Sequence, residues 1–174
     1  MLERKKLTIM IQITEKQIAD SLKKEPIDYI NLYTDAYLAE VDNELNAENM
    51  QKLNGHQHAL LAYRFFREEV NYGGFVQLIQ NGYGAYIFDN PTAKAFKIFG
   101  ADATARLIYK AKEIYDANRE ELERDTTDEE FNAMYVDFEE FEQIEESFYQ
   151  IEKKQTEIIA LYVDMNRDMF AKIV

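Results

Sequence analysis

The stretch EEVNYGGFVQLIQNGYG, Glu68–Gly84, holds four of the chain's six glycines, Gly73, Gly74, Gly82 and Gly84. Its reading decides the fold, because everything around it has helical spacing. Gly-rich turns often cradle phosphate, but this one lacks what that task needs. A P-loop requires Lys-Ser/Thr directly after its last glycine, and no lysine lies between Lys52 and Lys94. A dinucleotide fingerprint follows a strand, whereas an amphipathic helix precedes this stretch, and Glu68 and Glu69 oppose an anion. The glycines instead read as helix stops: Gly73 and Gly74 end one helix, Phe75 anchors a short helix to about Gln80, and Asn81-Gly82 with Gly84 repeats the device.

Upstream, Leu60, Leu61, Tyr63, Phe65, Phe66 and Val70 make the preceding helix apolar on more than one face, so it is expected to be central. Asn54 with Gln57 can start it. Ile27, Ile30, Tyr33, Tyr37, Leu38, Val41 and Leu45 recur at three and four, and Thr14-Glu15-Lys16-Gln17 fits a capping box. The segment NELNAENMQKLNG (43–55) reads as a loop with one helical turn. Downstream, Asn90-Pro91 is expected to cap and open a helix that Gly100 stops, and Asp102 to cap a longer one to about Leu122. Thr127-Asp128-Glu129-Glu130 is a further capping box. Phe131, Met134, Phe138, Phe141, Phe148 and Ile151 then keep helical spacing, with a break expected near Val136 or Ser147. No period-two pattern persists, and no internal repeat is present. The expectation is an all-α, single compact domain of about seven to nine helices over residues 14–174, preceded by an N-terminal arm, 1–13.

The composition narrows function. A hydrophobic share of 47% in 174 residues supports a sizeable core. With no cysteine, disulfide and thiolate chemistry is excluded. No run of about 18 apolar residues predicts a membrane span, and MLERKKLTIMIQITEK (1–16) lacks a cleavage signature, so a cytoplasmic location is the default. Of the catalytic patterns, there is no Gly-x-Ser-x-Gly elbow and no zincin pair. His56 and His58 would point about 200° apart on a helix, and no glutamate stands three residues before either. No enzyme activity, metal or cofactor is expected.

The net charge is −13, which repels nucleic acid and anionic membranes and favours basic partners. It is concentrated: Asp116–Glu152 carries 15 acids against Arg119 and Arg124, so this segment alone equals the charge of the whole chain. On a helix, acids three and four apart lie about 4.5–6 Å apart along the axis, a regular row of negative charge. Glu139, Glu142 and Glu146 have that spacing, as do Glu120 and Glu123, with Glu121, Asp137, Glu140 and Glu145 beside them. The Phe stripe would hold these acids on a rigid frame. These nine are the expected partner-binding residues.

The glycine stretch also resembles the mark of a bacterial helical family that includes the DMP-type DNA-mimic proteins. That mark is a helix ending in Glu-x-x-Asn, then Gly-Gly-Phe-x-Gln, then Asn and Gly. Here it falls on Glu68, Asn71, Gly73, Gly74, Phe75, Gln77, Asn81 and Gly84. The resemblance runs from roughly Ile27 to Phe170, with a weaker echo at Ser147-Phe148-Tyr149. The chain departs from it at Leu78, Ile79 and Gly82, where family members tend to carry aromatics and a serine. The resemblance implies an all-helical fold and a role imitating DNA: occupying the DNA-binding surface of a basic protein such as a transcription factor. The alternative is a helical adaptor that binds through an apolar or aromatic patch, its acids serving solubility. Oligomeric state is left open, a homodimer included.

Overall fold

The computed structural model describes residues 11–174, so the first ten residues of the expected arm lie outside it. The described chain forms ten α-helices, one more than the upper expectation, around one core. α1 (Glu15–Ser21) and α2 (Pro26–Glu40) open the domain, and a 3-10 turn (Asn49–Lys52) supplies the one turn expected in the polar loop. α3 (Gly55–Gln80) is the central helix; α4 (Gly84–Phe88) and α5 (Thr92–Ile98) follow it. α6 (Asp102–Ala117), α7 (Arg119–Glu123), α8 (Asp128–Asp137), α9 (Glu140–Met165) and α10 (Arg167–Phe170) complete the fold. α9 packs against α6, α2 and α3.

Both expected capping boxes form, and the expected helix start at Asn54 with Gln57 forms as a box too. Thr14, Asn54 and Thr127 each accept from the backbone N–H three residues on, and Gln17, Gln57 and Glu130 reach back to the cap N–H. Two expected caps do not form. Pro91, not Asn90, occupies the cap position of α5, and Asn90 Nδ2 donates to Tyr86 O instead. Asp102 is the first residue of α6 rather than its cap; the free Thr104 N–H is met from outside by Gln155 Oε1 at 3.1 Å.

One boundary also moves. The helix from Asp102 stops at Asn118, whose Nδ2 bonds Ile114 O, so Arg119–Glu123 is a separate short helix. The downstream break falls at Phe138–Glu139, near the first of the two expected places, Val136, and α9 passes straight through the second, Ser147. A short parallel ladder joins β1 (Gln12–Ile13) to β2 (Lys172–Ile173). Two residues per strand are too few to leave an alternating pattern.

The core is aromatic. Phe66 meets Phe148 with ring centroids 4.6 Å apart, Phe75 meets Phe141 at 5.2 Å, and Phe88 meets Tyr115 at 4.7 Å. The Phe stripe of α9 is thus seated on residues from both sides of the glycine pair. Gly84 opens α4 against Tyr115, where a Cβ would come within 2.9 Å of the ring.

Candidate interaction surface around the Gly-Gly kink

Gly74 breaks α3. Its φ/ψ of 77°/−171° is a region only glycine enters cheaply, and helical geometry resumes after it; Gly82 takes φ 88° at the following turn. A broken helix leaves backbone groups without their i→i−4 partners. Here the acidic helices supply them. Tyr149 donates its hydroxyl to Val70 O at 2.9 Å, Tyr135 donates to Gly73 O at 2.8 Å, and the Phe75 N–H donates to Glu145 Oε1 at 2.7 Å. Beyond the kink, Gln80 Nε2 donates to Leu122 O at 2.6 Å and Arg124 O at 3.1 Å, and Thr126 donates to Gln80 Oε1. The short helix after Gly74 therefore holds α7 at one end and α8–α9 at the other.

Glu145 differs from the other expected surface acids. It is half-buried, with its carboxylate turned onto the kink. Burial raises its carboxyl above the usual range; the Phe75 N–H works against that and the Glu142 charge adds to it. The physical reason is its spacing: it lies four residues after Phe141 and three before Phe148, on the flank of the buried stripe. Because the folded-state pKa is raised, folding favours the neutral acid. That contribution is present below the ordinary carboxylate value and lost as pH climbs through the raised one. Glu145→Gln keeps an oxygen to accept from Phe75 and cannot ionise, so it is expected to gain on the wild type as pH rises from about 4.5 towards 7. Glu145→Ala, which orphans the N–H, is expected to cost about 1–3 kcal/mol. Urea melts at several pH values test both; a wild type and Gln variant with parallel pH profiles would exclude the assigned role.

Glu120, Glu121, Glu123, Asp137, Glu139, Glu140, Glu142 and Glu146 are exposed. They divide into two groups. On α7, Glu123 pairs with Arg119 and accepts from Tyr115, a bond that pulls its carboxyl below the usual range, and Glu121 pairs with Arg124. At the corner between α8 and α9, Asp137, Glu139, Glu140, Glu142 and Glu146 enter no ion pair among the described residues. At about 100° per residue, Glu139, Glu142 and Glu146 project to one side of α9 and Glu140 to the opposite flank.

The motif residues have distinct placements. Glu68 pairs with Arg64 at 2.9 Å, and Asn71 is exposed. Gln77 Nε2 and Asn81 Nδ2 both donate to Glu69 Oε2, at 3.0 and 2.8 Å. Glu69, Gln80, Tyr135 and Tyr149 were not among the expected residues. Only Tyr149 had a sequence signal, through the weaker echo of the family mark.

The histidines serve structure. His58 bonds the Tyr86 hydroxyl and Met50 O through its two ring nitrogens, and His56 lies edge-on to Phe170. Among the described residues no group of three or more His, Asp or Glu could hold a metal ion, and no helix is long and apolar enough to cross a membrane.

The frame is all-helical, and the chain belongs to the family of DMP19-like proteins, whose model matches residues 51–166. It is similar to the DNA mimic protein DMP19 of Neisseria meningitidis serogroup B, with 30% identity over 155 residues covering 88% of this chain and 93% of the relative.

Proposed function

We propose that this protein is a DNA mimic that binds the DNA-binding surface of a basic protein, such as a bacterial transcription factor, and keeps DNA off it. It acts by binding, without catalysis or cofactor, and its place of action is the cytoplasm. The observation that carries the reading is the uncompensated charge of Asp137, Glu139, Glu140, Glu142 and Glu146 on the α8–α9 corner. Glu120, Glu121 and Glu123 on α7 form a second acidic group, in which Glu121 and Glu123 already have arginine partners. Carboxylates that already have cations at hand gain little from a basic partner; carboxylates without them gain more. The frame favours the same reading, because Phe141 and Phe148 in the core prevent these acids from moving apart to relieve their repulsion. Glu145 supports this surface from within rather than lining it. A gel shift with a candidate DNA-binding partner tests the reading: the protein should release DNA, and less so as salt rises.

One observation favours the adaptor alternative. Leu161 and Met165, one turn apart on α9, are 60% and 75% exposed. An adaptor using that face would keep its partner after the acidic corner is neutralised, and would lose it on Leu161→Ser.

A further inference from the structure

Beside the kink, a shallow depression of about 590 Å³ is lined by Glu68, Glu69, Asn71, Tyr72, Gln77 and Asn81. Tyr72 is 87% exposed, the most of any large hydrophobic side chain among the described residues. Its backbone is nonetheless fixed, since the carbonyls of Val70 and Gly73 on either side are held by Tyr149 and Tyr135. The ring is thus presented to solvent from a rigid base.

The carboxylate beside it is also positioned. Glu69 Oε2 takes two amide donors, from Gln77 and Asn81, while Oε1 has no partner among the described residues. The nearby cations are committed elsewhere: Arg64 is shared between Asp35 and Glu68, and Arg67 is taken by Glu152. Among the described residues Glu69 enters no ion pair.

We infer that this depression receives an arginine side chain of the partner, with the guanidinium on the Tyr72 ring and its N–H groups on Glu69. A planar cation that stacks on an aromatic face and donates sideways to a carboxylate fits this pairing; a lysine ammonium, compact and strongly hydrated, fits it less well. Amides that fix one carboxylate oxygen and leave the other open lower the ordering cost of binding. Tyr135 of α8 and Tyr149 of α9 bond the backbone beside the depression, so it is tied to the helices that carry the acidic corner. This inference rests on the reading above in one respect, that the partner is basic.

The test uses the full chain and two labelled peptides, hexa-arginine and hexa-lysine, followed by fluorescence anisotropy. The wild type should prefer the arginine peptide about three- to fivefold. Tyr72→Ala and Glu69→Gln should each remove most of that preference, and Tyr72→Phe, which keeps the stacking face, should retain it. Glu139/Glu142/Glu146→Gln should weaken both peptides alike and leave the preference intact. Equal binding of the two peptides by the wild type, or a preference unchanged in Tyr72→Ala, would overturn the inference. Failure to release DNA in the gel shift would count against DNA mimicry and leave the arginine preference standing. Circular dichroism of each variant confirms that a lost preference is not a lost fold.

Discussion

Gly74→Ala is expected to lower the melting temperature by about 6–12 °C. Two causes act together. The φ/ψ of 77°/−171° is one that L side chains rarely adopt, and a residue forced there costs about 1–3 kcal/mol. A Cβ at that point would also run into the Glu145 carboxylate, which the Phe75 N–H holds in place. Pushing Glu145 aside leaves that N–H without its acceptor, a further penalty of about 1–3 kcal/mol. A combined loss of about 3 kcal/mol, at 2–4 °C per kcal/mol for a chain of this size, gives the stated range. Gly73→Ala is the control. Gly73 has no positive φ, and its Cβ would meet the flexible Gln77 side chain. Thermal melts should rank Gly74→Ala well below Gly73→Ala; the reverse order would show that the kink is not the strained point.

Glu139/Glu142/Glu146→Gln is expected to weaken the complex with a basic DNA-binding partner by at least about tenfold at low salt, which is about 1.4 kcal/mol. The three project from one side of α9 and have no cation of their own among the described residues, so their loss removes attraction without freeing any internal partner. The difference from wild type should shrink as ionic strength rises and the Debye length falls towards about 3 Å at 1 M salt. Stability should hold or improve slightly, because Glu142 and Glu146 are a like-charge i,i+4 pair whose repulsion costs about 0.2–0.5 kcal/mol. A triple variant that releases DNA as well as wild type would sink the acidic corner as the working surface.

The helical class and the central place of α3 were legible because apolar residues at three and four carry that information directly. The two capping boxes and the helix start at Asn54 were legible for a similar reason: each is a local contact between residues three apart. What stayed hidden depends on distant partners. Asp102 looks like a cap, yet the N-terminus of α6 is satisfied by Gln155, 51 positions away in sequence. Asn118 breaks a helix whose apolar spacing lapses for one turn at Asn118 and Arg119 and is taken up again at Leu122. Within the acidic run, residue type alone gives Glu145 and Glu146 the same meaning, and they differ only in angle from the Phe stripe. That angle could have been read from Phe141 and Phe148; the identity of the group Glu145 reaches could not. Glu69 and Glu68 present the same difficulty, since the amides that choose between them come from beyond a helix break.

The ladder between Gln12–Ile13 and Lys172–Ile173 has a practical consequence for handling the protein. It places the last residues of the chain beside its first described ones, at the far end of α9 from the acidic corner. α9 has 26 residues, so at about 1.5 Å per residue those ends are roughly 39 Å apart. A tether attached after Val174 would fix the molecule to a sensor surface by the end opposite the acids. The acidic corner would then face the flowing solution, in an orientation set by the fold.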